Sequence, residues 1–162
     1  MSALNMVALR PLQQGDYGPL FAFHNDKEAL FLAGAGKPFE DEAEVKTHFD
    51  TVQQKGALVR AILFEDRIAG YAASFMRFDK QEISYWLGRD YWGQGIASRA
   101  VGLWLTEFPP TEIGLFARVV DGNPASARVL VKNGFTAAGR DRFFSDIRGA
   151  EVEETLFKYG AP

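Results

Sequence analysis

No cysteine occurs in the 162-residue chain, which excludes disulfides, thiolate-held metals and a cysteine nucleophile, and which suits a reducing compartment. A run of about 18 apolar residues is missing too, and the opening MSALNMVALRPLQQGD has no basic segment leading into a long apolar one. The sequence therefore predicts neither a membrane span nor a leader, and a soluble, cytoplasmic protein is expected. A large excess of one charge is missing as well: 18 Lys and Arg stand against 21 Asp and Glu, a net of −3. That balance argues against nucleic acid or an anionic membrane as partner. Pro- or Gly-rich linkers, low-complexity tracts and internal repeats are absent. With 47% apolar and 24% charged residues, one globular domain over residues 1–162 is expected.

The apolar pattern changes period along the chain. Met6 to Arg10 reads as a strand ended by Pro11, and Asp16 as the cap of a helix running to about Asn25. Phe31 to Phe39, with Gly34, Gly36 and Pro38, breaks regularity. Asp41 then caps a second helix through Val45, Phe49 and Val52, stopped at Lys55 and Gly56. Leu58–Phe64, Ile68–Phe78 and Gln81–Leu87 form a predicted antiparallel meander joined by polar turns. Ile96, Ala100, Leu103, Trp104 and Phe108 share one helix face, ended by Pro109 and Pro110. Ile113–Val120 is a strand, Asn123 and Pro124 open a helix over Ala125–Lys132, and Thr136–Phe144 and Glu151–Tyr159 are the last strands. The order is βααβββαβαββ: about seven strands and about four helices.

Tyr91 to Leu105, YWGQGIASRAVGLWL, carries the strongest functional signal. Gly93 and Gly95 lie between a strand and the first turn of a helix, where unpaired N–H groups and the helix dipole favour an anion without help from Lys or Arg. A dinucleotide fingerprint fits poorly, because Ser98 stands at its third glycine and the turn follows a meander. No Gly-Lys-Ser or Gly-Lys-Thr signals a P-loop. A turn serving geometry alone is the simplest alternative.

A second strand-to-helix start, NPASARVLVKNGF, follows downstream. Together with YWLGRDYWGQGIASRA, the opening LRPLQQGDYGPLF and the order of elements, it resembles the GNAT superfamily of acetyl-CoA-dependent N-acetyltransferases, in particular its RimJ/RimL-like branch of ribosomal-protein-alanine N-acetyltransferases. The resemblance spans nearly the whole chain. It implies an α/β fold with a mixed, mainly antiparallel sheet, acetyl-CoA as cosubstrate without a metal, an amine as acceptor, and a monomer or homodimer. The family's phosphate loop, Gln/Arg-x-x-Gly-x-Gly/Ala, falls on Trp92, Gly93, Gln94, Gly95, Ile96 and Ala97, with Trp92 replacing Gln or Arg. By resemblance, amides from Gln94 to Ser98 hold the coenzyme pyrophosphate, and the pantetheine arm lies along Gln81–Leu87, which adds Trp86, Leu87 and Gly88 to the expected contacts.

Acetyl transfer to an amine requires a neutral nucleophile, a polarised carbonyl and a proton for the departing thiolate. Glu82 is the base candidate, placed by alternation on one sheet face with Ser84 and Trp86; a solvated edge carboxylate is the other reading. By resemblance, Ser126 supplies or relays a proton to sulfur and Asn123 positions the pantetheine arm, although Asn before Pro is also an ordinary helix cap. The family's alternative acid, a downstream Tyr, has no counterpart in Ala137–Phe144. Of Arg89, Arg99, Arg128 and Lys132, Arg99 is the selected phosphate contact. His24 and His48 read as surface or partly buried groups. Trp86, Tyr91, Trp92 and Trp104 read as packing about the turn. The acidic cluster Glu40, Asp41, Glu42 and Glu44 suits a helix start better than a cation site. An acceptor pocket is expected between Phe31–Phe39 and Phe143–Gly149. Two other classes stay open: a noncatalytic acyl-CoA sensor, and an interaction protein in which the glycine turn has no ligand.

Overall fold

Alternating side chains and tight polar turns build most of this molecule, whose computed structural model describes residues 6–160. Residues 1–5 and 161–162, to which the leader and 1–162 domain readings extend, lie outside the described residues. The elements are β1 (Val7–Arg10), α1 (Tyr17–His24), α2 (Lys27–Ala33), α3 (Glu42–Gln54), β2 (Leu58–Phe64), β3 (Arg67–Arg77), β4 (Lys80–Leu87), α4 (Ile96–Glu107), β5 (Phe116–Val120), α5 (Pro124–Lys132), β6 (Phe135–Ser145) and β7 (Ala150–Tyr159). The predicted fold class holds, with one helix more than expected.

That extra helix is α2. Its start is a good cap: Asp26 accepts from the N–H groups of Glu28 (3.0 Å) and Ala29 (3.3 Å). The glycine-rich stretch that marked Phe31–Phe39 as irregular contains the helix's end at Gly34. Two further boundaries differ. Asp16 does not cap α1; its buried carboxylate accepts from Arg10 at 2.7 and 2.9 Å and from the Gln13 N–H at 2.8 Å. The fifth strand begins at Phe116 because residues 111–114 form a turn closed by Gly114 N–H on the Thr111 carbonyl, 2.9 Å.

The strands make one seven-stranded sheet in the order β1-β2-β3-β4-β5-β7-β6. On one face, Ile96, Ala100, Val101 and Trp104 of α4 and Leu130 of α5 pack on Ile83, Ala117, Val119 and Phe157. On the other, Tyr17 and Leu20 of α1 and Val45 and Phe49 of α3 cover Val59 and Ala73. Each fully buried large apolar side chain stabilises by roughly 1.5–3 kcal/mol, so these two stripes outweigh weak local propensities in docking the helices.

One seam of the sheet opens. All pairs are antiparallel except β4 and β5, which run parallel and share a single register pair, Glu82 with Phe116. On its other side β4 pairs with β3 from Lys80 to Leu87, and β5 pairs with β7 along its whole length. Each strand is held by its outer neighbour, so the two diverge beyond Glu82. Gly70 lets β3 and β4 approach: a Cβ there would lie 1.9 Å from the Trp86 carbonyl oxygen.

Candidate active site

The glycine turn sits at the wide end of this seam. Gly93 (φ +72°) and Gly95 (φ +78°) both occupy the left-handed region that side chains disfavour. Gly95 is the N-cap of α4, and no side chain caps it. The first N–H groups of the helix therefore face outward, with the positive end of the dipole behind them. A β-carbon at Gly93 would project into open space rather than into protein. Trp92 fixes the turn from within, its indole N–H donating to the Leu87 carbonyl at 3.0 Å.

Behind the turn lies a cavity of about 440 Å³. Its walls are Tyr85, Trp86 and Leu87 of β4, Trp92, Gly93, Gly95, Ile96, Ala97 and Ser98 at the start of α4, Asn123, Ser126, Arg128 and Lys132 about α5, and Ala29, Leu32 and Ala33 of α2. The last group matters because α2 belongs to the opposite face, where its end meets Val120 and Ser145. The cavity thus passes through the sheet between β4 and β5. Past Glu82 no ladder joins these strands, which leaves edge main-chain groups available to a bound chain of amides.

Polar latches hold α2 as a wall. At its start Asp26 pairs with Arg89, whose Nε donates at 2.8 Å. At its end Arg148 donates to the carbonyls of Phe31 (2.8 Å) and Leu32 (3.2 Å) and to that of Asp121 at the end of β5 (2.7 Å). Ser145 Oγ donates to the Gly34 carbonyl at 2.6 Å. The two segments expected to flank an acceptor pocket are therefore bonded to each other at these points.

On the α4–α5 side of the slot, Tyr85 Oη lies 2.9 Å from Ser126 Oγ and donates to the Ser126 carbonyl at 3.0 Å. Burial pushes the Tyr85 phenol up to about 12, against the opposing hydrogen bond with Ser126, so it remains a proton donor. Asn123 Oδ1 accepts from the Ser126 N–H at 3.3 Å, and its amide faces the Leu32 carbonyl at 3.5 Å. It is a cap and a cavity wall at once.

On the opposite face, at the vertex of the seam, Glu82 is 2% exposed. It is an interior group, which removes the solvated-edge reading. Its Oε2 accepts from Arg118 Nε at 3.0 Å; Arg118 Nη1 donates to Glu154 at 3.0 Å and to Asp141 at 3.4 Å. Burial opposes the Arg118 charge, but the two buried carboxylates outweigh it and raise the guanidinium further above its ordinary value. Glu82 does not line the cavity and Ser126 does; the two lie on opposite faces of the sheet, with Glu82 at the last register pair of β4 and β5.

Of the other expected contacts, Gly88 is packed under Phe23, whose ring a Cβ would meet at 2.6 Å. Gln94 is exposed and donates to the Asp90 carbonyl at 3.0 Å. Arg99 is exposed and does not line the cavity, whereas Arg128 and Lys132 do. Trp86 offers the cavity one edge while its indole N–H donates to the Phe23 carbonyl at 2.9 Å. His24 stacks on Trp86 at 4.6 Å. Asp41 caps α3 through the Glu44 N–H, and Glu44 accepts from the Glu40 N–H, as a helix start requires. The sequence reading passed over Tyr85, Arg118 and Glu154. For the first, the same alternation that puts Glu82 on one face puts Tyr85 on the other. For the second, a lone cation within FARVV was the signal.

Residues 7–136 match the family model described as Acetyltransferase (GNAT) domain. The chain belongs to that family. Among solved structures, this GNAT domain is similar to a ribosomal-protein-alanine N-acetyltransferase from Brucella melitensis, with 20% identity, a TM-score of 0.79 and 95% and 99% of the two chains covered. It also resembles the microcin C7 self-immunity acetyltransferase in complex with acetyl-CoA and AMP, at 18% identity, TM-score 0.77 and 97% and 93% coverage. A third is spermidine N-acetyltransferase from Vibrio cholerae in complex with CoA and spermine, at 16%, 0.77, 95% and 96%. At such identities these establish the shared fold. No curated protein sequence matches the chain.

Proposed function

We propose that residues 1–162 act as one acetyltransferase domain, of the RimJ/RimL-like kind, that moves the acetyl group of acetyl-CoA directly to a primary amine. The observation that carries this reading is the slot through the sheet, with an uncapped helix start at one mouth and a buried carboxylate at its vertex. When bound, acetyl-CoA supplies an acyl group activated as a thioester.

The residues divide the remaining work. Main-chain N–H groups at the start of α4 take the pyrophosphate, and Arg128 and Lys132 add positive charge on the same wall. The open edge of β4 pairs with the amide-bearing arm. Ser126, oriented by Tyr85, holds a proton on the thiol side, and Glu82 takes one on the amine side, directly or through water. Separation across the slot keeps these two groups from neutralising each other. Acceptors on related folds include a ribosomal-protein alanine and spermidine, by the names those proteins carry. An α-amine near pKa 8 is neutral in roughly a tenth of molecules at pH 7, against about 0.04% for a lysine-like amine. A peptide N-terminus thus makes the smaller demand on Glu82, and it is the first acceptor to test, followed by small-molecule amines.

Titration with acetyl-CoA in a calorimeter, followed by thiol release over a panel of Ala- and Ser-initiated peptides, polyamines and amino acids, tests the reading. Binding with turnover on at least one amine supports it. Binding with no turnover on any amine favours a sensor, and no binding rejects the site.

A further inference from the structure

We propose that Asn133 is a positioning residue for the coenzyme: its side-chain amide ties the end of α5 to the first turn of α4 and so sets the spacing of the two helices that line the phosphate end of the cavity. This rests on the reading of the α4 start as the pyrophosphate site. Asn133 directly follows α5 and is half-buried. Its Nδ2 donates to the Ser98 carbonyl at 3.0 Å, to Ser98 Oγ at 3.2 Å and to the Val129 carbonyl at 2.8 Å. Ser98 and Val129 both line the cavity, one from each helix. The first intrahelical bond of α4 runs from the Arg99 N–H to the Gly95 carbonyl, 3.1 Å, so the N–H groups of Ile96, Ala97 and Ser98 precede it. One amide thus joins the helix that offers these donors to the helix that carries Arg128 and Lys132.

Apolar packing leaves this spacing loose. Ile96 and Ala100 of α4 and Leu130 of α5 belong to one buried cluster, but apolar contact is non-directional and does not fix how far one helix slides along the other. Hydrogen bonds have preferred distances and angles, and they do fix it. The amide has two N–H donors for these acceptors. One goes to Val129 in its own helix, which holds the side chain in a single orientation, and the other reaches across to Ser98.

Gly102 is an independent mark. It lies inside α4, where glycine is unfavourable, one turn beyond Ser98 on the same side of the helix. A Cβ there would lie 3.3 Å from Asn133 Oδ1, the one group outside its own helix that it would meet among the described residues. The helix does without a side chain where the Asn133 amide sits.

The test follows amide resonances of the whole chain during titration with acetyl-CoA, with inorganic pyrophosphate, and with acetyl-pantetheine, which has the thioester and arm without the diphosphate. Asn133→Ala weakens acetyl-CoA and pyrophosphate by about 10-fold, the loss of one hydrogen bond's worth of alignment, read at Ala97 and Ser98. Acetyl-pantetheine, read at Ser126, weakens by less than about 2-fold, because its contacts lie at the other end of α5. Gly102→Ala keeps the Asn133 amide but crowds it, weakens the same two ligands by about 3-fold, and carries the test should Asn133→Ala unfold. Unchanged acetyl-CoA affinity in both variants, or an equal loss for acetyl-CoA and acetyl-pantetheine, overturns the inference. Pyrophosphate that moves the Ala97 and Ser98 amides with the same affinity in Asn133→Ala as in the unaltered protein overturns it and leaves the site standing. Pyrophosphate that moves neither amide in the unaltered protein rejects the site and the inference together.

Discussion

Tyr85 and Ser126 meet across the cavity with their hydroxyl oxygens 2.9 Å apart, joining the strand that bounds the slot to the first turn of α5. A phenol pushed up to about 12 keeps its proton, so its role is to hold Ser126 in one orientation. Ser126→Ala is expected to lower kcat by about 100-fold, the lower end of the range for acid–base groups, and Tyr85→Phe by about 10-fold, each with little change in acetyl-CoA affinity. The double variant should cost no more than Ser126→Ala alone. Steady-state kinetics and calorimetry check this; additive losses would show that the two hydroxyls act separately.

Gly95 joins a strained backbone angle to an open ligand face. Any side chain at φ +78° costs of order 1 kcal/mol in strain, and an indole also covers the outward N–H groups. Gly95→Trp should retain its circular dichroism spectrum and lose acetyl-CoA binding by more than about 100-fold, equivalent to about 2.7 kcal/mol. Unchanged affinity in a folded variant would place the coenzyme elsewhere.

Arg148 fastens α2 without filling any core space. Three hydrogen bonds to carbonyls, each worth about 0.5–1.5 kcal/mol net, are enough to decide whether a seven-residue helix stays docked. Arg148→Ala is expected to speed hydrogen exchange at the α2 amides, Leu30 and Gly34 among them, and to raise the KM for acetyl-CoA about 3- to 10-fold, with the amides of the central strands unaffected. Equal protection in both proteins would contradict α2 as a latched wall.

His24 has a buried Nδ1 without a hydrogen-bond partner among the described residues, and its Nε2 is 3.1 Å from the Lys37 carbonyl. Burial lowers its proton affinity, opposed by the Lys37 bond and assisted by His48. The unfolded chain therefore binds this proton more readily than the folded one. Stability is full above about pH 6.5, the unfolded value, and is lost as pH falls from there through the lower folded value. His48, also lowered by burial, acts with the same sign. His24→Phe should flatten the fall in Tm between pH 7 and 5.5, leaving the His48 share. An equally steep fall would remove His24 from the account.

Much of this was legible in residue order because local and tertiary preferences agree. The meander, both helix stripes and the glycine turn all follow from period and punctuation. Legibility failed where a side chain's partner is set by tertiary contact. Asp16 reads as a cap until Arg10, six residues before it, is seen to hold it, and Glu82 reads either as a base or as a solvated carboxylate until Arg118, 36 residues away, appears beside it. Helix α2 was hidden because Gly34, Gly36 and Pro38 mark the stretch Phe31–Phe39 as irregular, and because its seven residues begin at once after Asn25, where α1 ends. Arg128 and Lys132 line the cavity, a placement that depends on how α5 is docked and that residue order alone does not show.

A crystal structure with acetyl-CoA tests the central claim most directly. The account predicts the pyrophosphate on the amides from Gly95 to Ser98, the arm along β4, and the thioester in the slot between Ser126 and Glu82. A coenzyme bound outside the opening of β4 from β5, with that seam closed, would contradict it.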